Sequence, residues 1–569
     1  MIAFASLLVG YLVPQSEALR AGDRTVVAVW MGLLLISVGL LALSFLMPLG
    51  NGVAAGFVGA LCLTSIALRQ TRRSIRALHG KVDPAAAIVV GGLIALTAVV
   101  AGTAPADGGS DYALYHYPVT RWLSEYGTVP GLALIHMRFG NTASWWTINS
   151  VLDGGQLRGR VAPILGFVSI CLVMCHAVLA SARVFQRRAT RSDRYLLISL
   201  AFIGPHLFGF AGGKPFTDSA DRPVALLGIS IAWLMLAMSE ASPQGCSKRS
   251  SCDRGSVIAL MVLAAGAVTL KLSALPMLAA ASLFVLACKA EERARIHAIG
   301  IAGLLVGMTM LFNLRVSGCP LYPAGIGCAR LPWAIAPEDA RAYSEIVTNW
   351  ARWGTRHAQG TFVEWLPIWI AKQPLLAVSS LISIVAGVPI LLISACRHRS
   401  FPPLAWPVLL GVLGLIYGIL LAPSFRFLGG YVSLIPAAAL LLLLERSAPA
   451  IRSPFRPNRV GTFVAYGLPA LMMLGLIALP TPVFNLGAAW RGQFDRIIYL
   501  ENVRWLAPPS LRTVPVEVHF TSDVEYWMPL EDGCCYGSPL PCTPYLTYSE
   551  IRLRLPERGL AGGFIRADR

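Results

Sequence analysis

The sequence predicts an all-α polytopic membrane bundle of about 14 transmembrane helices, with a small α/β cap at its C-terminal end. Three observations carry this. Only 13% of the 569 residues are charged and 56% are hydrophobic, against about 25% charge in an ordinary soluble domain. Mean hydropathy is +0.63, and apolar runs of near-spanning length recur along most of the chain. The Lys and Arg residues behind the net charge of +18 sit in short gaps between those runs, not on a soluble face, which points to membrane topology and away from nucleic acid. Disordered chains, coiled coils and collagen-like repeats need high charge, heptads or a Gly period, and none is present.

The candidate helices, in order, are Ile2–Val13, Val26–Met47, Val53–Leu68, Ala85–Ala104, Val161–Ala180, Tyr195–Phe210, Val224–Met238, Val257–Leu270, Leu272–Cys288, Ala298–Phe312, Leu375–Ala395, Leu404–Leu421, Tyr431–Leu444 and Thr462–Leu479. The first has no basic residue ahead of it and no small-residue cleavage site, so it reads as a span and not as a signal peptide. Val257–Leu270 and Leu272–Cys288 are either two short helices meeting inside the membrane or a re-entrant pair around Lys271. The short loops on one side carry 24 Lys and Arg, those on the other side 4. The positive-inside rule makes the first side cytoplasmic and puts both termini outside.

Three long segments then face out: Pro105–Arg160, Arg315–Gln373 and Pro480–Arg569. The chain divides into a membrane domain, 1–479, with outer loops 105–160 and 315–373, and an outer C-terminal domain, 480–569. In the latter, Val514–Phe520 and Glu550–Leu555 alternate as strands. Of the 12 cysteines, five lie outside, where disulfides are allowed: Cys319 and Cys328 as one bridge, and Cys542 with Cys534 or Cys535 as another. Zinc at the last group lacks a nearby His.

The residues able to do chemistry cluster on the outer rim. Asp111 follows a span by a few residues and opens a helix, Asp111 to Tyr126, interrupted early by Pro118. Its stripe of Tyr112, Tyr115, Trp122 and Leu123 predicts an amphipathic helix on a membrane surface. A partly desolvated carboxylate there suits a general base for a hydroxyl; it also suits a helix cap. Asp218 and Asp221 stand at the mouth of the next outer span beside Lys214 and Arg222, either as a polar turn and N-cap or as a second acid with cations for a phosphate. Lys271 lies in apolar sequence, where a charge is costly and marks a functional candidate unless it snorkels. Arg315 and Arg426 end outer helices and suit a phosphate oxygen pair or an interfacial anchor. His116 and Arg121 complete the substrate- and phosphate-binding set. His116 and His136 lack metal-ligand spacing. No phosphate loop, dinucleotide fingerprint, zinc-protease or nucleophile-elbow motif is present. No metal site is assigned, and a divalent cation is the one cofactor left open.

These landmarks resemble the GT-C class of membrane glycosyltransferases: a span, an outer acid followed by an aromatic amphipathic helix, then a second outer acid. NLRVSGCPLYP (Asn313–Pro323) resembles the R-N-x-x-x-x-G-x-P-L-x-P stretch of many such enzymes, with the Asn and Arg order changed. APSFRF (Ala422–Phe427) resembles their outer A-P-x-x-R-F segment. YHYPVTRWLSEYGTVPGLA (Tyr115–Ala133), RFGNTASWW (Arg138–Trp146) and LPCTPY (Leu540–Tyr545) look like an uncharacterised bacterial family of multi-spanning proteins near that class. The resemblance implies a GT-C-like bundle in the bacterial inner membrane with a periplasmic C-terminal domain. It implies transfer of a sugar from a polyprenyl-phosphate carrier to an envelope glycan, lipid or protein. Asp111 would be the base, Asp221 or Asp218 the second acid, and Lys271, Arg315 and Arg426 the carrier-phosphate ligands. Asp111 is followed by Tyr112 where many GT-C enzymes have a second acid. Two other readings stay open: a transporter or flippase for a lipid-linked glycan, and a non-catalytic glycan-binding envelope protein.

Overall fold

The computed structural model describes residues 2–16, 18–50, 52–79, 91–92, 111–141, 143–159, 161–207, 219–240, 252–288, 290–356, 358–373, 375–397, 402–447, 514–531 and 533–567. These form a mostly helical molecule with small sheets at its C-terminal end. Among the described residues six helices are long and apolar enough to cross a membrane: Ala21–Ser44, Ile164–Phe185, Asp221–Glu240, Glu292–Ser317, Ala377–Cys396 and Phe425–Glu445. Gly52–Ala67 joined to Arg69–Arg76 makes a seventh if a 78° bend is allowed within one span.

This count corrects the expectation of about 14, and the reason is length. Ile2–Gly10 has nine residues, about 14 Å of helix. Arg254–Leu270 and Ala405–Leu421 have 17 each and Leu275–Ala287 has 13, all short of a hydrocarbon core of about 30 Å. Apolar composition marks these helices as buried without saying how far they reach. The candidates Ala85–Ala104, apart from residues 91 and 92, and Thr462–Leu479 lie outside the described residues, as does the boundary at 480.

Burial separates inner helices from outer ones. Asp221–Glu240 is 83% buried over its most apolar stretch, while Ala377–Cys396 is 28% buried. The outer helices expose large apolar side chains, such as Leu304, Ile382, Val385 and Leu392, as lipid-facing surfaces do. Close helix approach is permitted by Gly32, where a Cβ would overlap the Ser6 carbonyl of the Ile2–Gly10 helix.

The Arg254–Leu270 helix is buried along its whole length after Arg254. Asp253 caps its start, accepting from Ser256 N–H at 3.0 Å. It ends at Lys271, whose backbone is extended (φ −163°, ψ 135°). A 3-10 turn, Leu272–Ala274, then leads into Leu275–Ala287. Pro276, in the first turn of that helix, has no N–H for the Leu272 carbonyl; the Tyr417 hydroxyl donates to it at 3.3 Å. The Tyr431 hydroxyl donates to the Ser273 carbonyl at 2.8 Å. The Cys252 and Cys288 thiols are hydrogen-bonded to each other, so the outer limits of the two helices meet and the pair forms a hairpin with Lys271 at its tip.

The C-terminal residues form two hairpins. β1 (Val516–Thr521) pairs antiparallel with β2 (Val524–Pro529), Val516 opposite Pro529 and Thr521 opposite Val524. β3 (Ile551–Leu553) pairs antiparallel with β4 (Phe564–Arg566). The described residues of this segment carry the strands of the α/β expectation and a 3-10 turn, Pro556–Gly562; residues 480–513 lie outside the described residues. Disulfides join Cys319 to Cys328 and Cys535 to Cys542, leaving Cys534 a buried thiol.

The strands are packed onto the first outer loop. Phe564 N–H donates to Pro130 O at 3.0 Å and Thr547 N–H to Ile135 O at 3.0 Å. Gly131 (φ +72°) lies against the Phe564 carbonyl, where a Cβ would collide. This changes the reading of the Asp111–Tyr126 segment. It is a π-turn, Tyr112–His116, followed by an α-helix, Tyr117–Glu125. Tyr112, Trp122 and Leu123 are buried inside the protein, with Trp122 edge-on to Phe564 at 6.0 Å. Tyr112 packs with Tyr117 and Ala162 and Tyr115 lies against Trp146, so the stripe is packed within the protein and is not the free face of a surface helix.

Candidate functional site

Four expected residues converge at one end of the bundle, each from a helix start or break. Asp111 precedes the π-turn. Asp221 opens the Asp221–Glu240 helix. Lys271 is the tip of the buried hairpin. Arg426 is in the first turn of the Phe425–Val432 helix, after the stiff Ala422–Pro423 approach. Carboxylates at helix N-termini are favoured by the exposed N–H groups there.

Arg426 is the centre. Its Nη1 donates to Asp111 Oδ2 at 2.7 Å and its Nε donates to Asp221 Oδ2. Lys271 Nζ donates to Asp221 Oδ1. Arg138 Nη1 donates to Asp111 Oδ1 at 2.9 Å. The Ser219 hydroxyl donates to Asp221 Oδ2 at 2.8 Å. All four carboxylate oxygens are therefore taken by cations. Aromatic faces support the same cations: Lys271 lies 3.9 Å from the Phe427 ring centre and Arg138 5.3 Å from that of Tyr115, distances at which a cation is attracted to the ring. Arg222, beside Asp221, has a buried Nη1 with no hydrogen-bond partner among the described residues.

Burial alone would raise the Asp111 carboxyl. The charge and hydrogen bond of Arg426, with His116 and Arg138, outweigh that and hold it below the usual carboxylate range. Asp111 is ionised here and is a weak base while both guanidiniums hold it. Burial, and then the Asp111 charge, push the Tyr115 phenol well up, so that hydroxyl stays protonated. Asn141 Nδ2 donates to the Tyr343 hydroxyl at 2.8 Å, placing a further phenol from the 315–373 loop near Arg138.

The other expected residues fare differently. His116 is buried, its ring 4.8 Å from that of Trp146 and 4.3 Å from that of Tyr115. Arg121 is not part of the Asp111–Arg426 cluster: it donates to the Ser538 carbonyl and pairs with Glu125 at 2.8 Å, tying the outer helix to the C-terminal segment. Arg315 is also engaged elsewhere, Nε donating to Thr128 O at 3.2 Å with Phe45 beneath it. Lys214 and Asp218 lie outside the described residues. Arg138 was missed as a site residue; its only signal was its place in the RFGN stretch of the outer loop. Among the described residues no group of three or more His, Cys, Asp or Glu is placed to hold a metal. Asp111 and Asp221 do not fit a divalent cation as arranged, because three cationic side chains already occupy and surround their oxygens.

A family model described as "Domain of unknown function (DUF8201)" matches residues 1–433. The chain belongs to this family. The DUF8201 region contains every member of the Asp111–Arg426 cluster and stops before the C-terminal strands. No curated protein and no solved structure gives a significant match.

Proposed function

We propose that the chain is a GT-C-like glycosyltransferase that moves a sugar from a polyprenyl-phosphate carrier to an envelope glycan, lipid or protein at the periplasmic face of the bacterial inner membrane. One observation carries this: two carboxylates from separate segments, Asp111 and Asp221, are bridged by Arg426 between Arg138 and Lys271, at one end of an apolar helical bundle. Acid and cation chemistry meet there beside a surface suited to lipid.

In this reading the carboxylates occupy the place of a phosphate. A carrier phosphate takes Arg426, Lys271 and Arg222, and Asp111 loses its strongest counter-charge. Its basicity then rises, as removal of a neighbouring cation requires. Asp111 takes the proton of the acceptor hydroxyl as that oxygen bonds to the anomeric carbon. The carbon–oxygen bond to phosphate breaks, and the phosphate leaves with the electron pair onto the cations. Asp221 keeps Arg426 and Lys271 aimed.

The test is mass analysis of envelope glycans from a deletion strain complemented with wild type or Asp111→Asn at equal protein level. A sugar restored only by wild type supports the transferase. Full glycan with both constructs removes the catalytic role of Asp111. Accumulation of a finished lipid-linked glycan on the cytoplasmic side replaces the reading with a flippase.

A further inference from the structure

The Ala113 carbonyl, two residues after Asp111, has lost its helical donors. The Tyr117 N–H, which would serve it in an α-helix, donates to Tyr112 O. Pro118, next in a π register, has no N–H. Ala113 is fully buried, and a buried carbonyl without a donor is costly. The missing donors come from the far end of the chain: Cys535 N–H at 3.1 Å and Tyr536 N–H at 3.2 Å. The left-handed backbone at Tyr536 (φ 42°) is the kind of turn that lets successive N–H groups converge on one oxygen. The Cys535–Cys542 disulfide closes this loop, and Arg121 holds its Ser538 carbonyl.

We propose that the Cys535–Cys542 loop is a positioning device for Asp111: by holding the Ala113 carbonyl it keeps the π-turn that aims the carboxylate between Arg138 and Arg426. Released, the carbonyl regains a donor by relaxing to an α register, with Tyr117 N–H on Ala113. Removing the extra residue of the turn rotates Asp111 by about 100° around the helix axis. Asp111 then leaves both guanidiniums, which become open to other anions. The loop's hold on the turn stands on the contacts alone; its importance for turnover rests on the base role given to Asp111 above.

The experiment uses the full chain in lipid nanodiscs, with dodecyl phosphate as the probe and amide hydrogen exchange as a second readout. Cys535→Ser/Cys542→Ser is expected to bind dodecyl phosphate about two- to fivefold more tightly, the size of effect expected for removing a competing half-exposed ion pair. Asp111→Asn gives the same gain, and the triple variant gains no more. Exchange rises at 111–117 and stays unchanged in Arg254–Leu270. Unchanged or weaker binding, additive gains, or unaltered exchange at 111–117 each overturn the proposal. General damage to the fold weakens binding, so it cannot imitate the expected result. If dodecyl phosphate binds no form of the protein, the phosphate site fails while the exchange readout still decides the clamp. Should the double variant not fold, reduction of the folded Cys319→Ser/Cys328→Ser protein opens the same loop and is read identically.

Discussion

At the scale of single residues, the cluster is held by one guanidinium shared between two acids. Arg426→Gln removes charge-assisted hydrogen bonds to both Asp111 and Asp221 and leaves Asp221 to Lys271 and the Ser219 hydroxyl. It is expected to abolish function and to cost about 1.5–3 kcal/mol, read as a lower melting temperature in detergent. Arg426→Lys restores charge without the planar fork that spans two carboxylates, so it recovers stability more than function. His136 supplies the pH dependence. It is fully buried, its Nδ1 accepts from Arg138 N–H at 3.2 Å, and burial pushes it down to about 3. The unfolded chain takes a proton near 6.5, the folded one near 3. Stability from this site is therefore complete above pH 6.5 and falls as acid is added. From pH 6.5 to 5 the loss is up to about 2 kcal/mol; thermal unfolding at both pH values checks it, and His136→Gln should flatten the slope. Lys271 was legible in the sequence because it breaks an apolar run, where a charge is conspicuous; Asp111, Asp221 and Arg426 were legible because each stands within a few residues of the end of an apolar span. Arg138 stood in a polar loop among ordinary neighbours, and nothing in its spacing told it from Arg121 or Arg315.

At the scale of elements, prolines decide where helices break, and hydroxyl or amide groups from distant elements repair the breaks. The Tyr417 and Tyr431 hydroxyls do so for the Lys271 hairpin. Tyr431→Phe leaves the half-buried Ser273 carbonyl without that donor, a loss of about 0.5–1.5 kcal/mol, measurable by thermal unfolding; a tip so loosened lets Lys271 drift from Asp221 and is expected to lower activity too. Gly32→Leu forces the Ile2–Gly10 helix off its neighbour, at about 1–3 kcal/mol. The sequence located the hairpin and its Lys, since hydropathy registers a charge between apolar runs. It did not reveal the π-turn after Asp111: an α-helix with a proline in its first turn and a π-turn followed by one have the same residue pattern and differ only in which carbonyl goes unpaired.

At the scale of the whole molecule, the Ala21–Ser44 helix measures the distance between two polar ends. Near its start Asp23 pairs with Arg183, which also pairs with Asp193, itself bound by Arg20 at 2.9 Å. Its last residue, Ser44, bonds the Thr128 hydroxyl of the first outer loop at 2.6 Å. The helix's 24 residues span about 36 Å, enough to cross a hydrocarbon core of about 30 Å. The positive-inside rule predicts that the Arg-rich end is cytoplasmic and that the Asp111 cluster faces out. A C-terminal alkaline phosphatase fusion is expected to be active, and an inactive fusion inverts the orientation. Sidedness can be read from the sequence as an expectation, because charge bias is set by membrane insertion and not by packing; the fusion is its test. The number of spans was not legible, because burial by protein and burial by lipid select the same apolar residues.

The tie between Arg121 and Ser538 joins positions 417 residues apart, and the Ala113 carbonyl waits on the same late loop. At about 5–20 residues per second of synthesis, some 20–80 s separate the first partner from the second. The outer helix is threaded through the membrane long before its clamp exists. If the loop sets Asp111 as proposed, a nascent chain carries Asp111 in an unset position until the loop has been made and closed by an oxidant, and whatever Asp111 does begins only then.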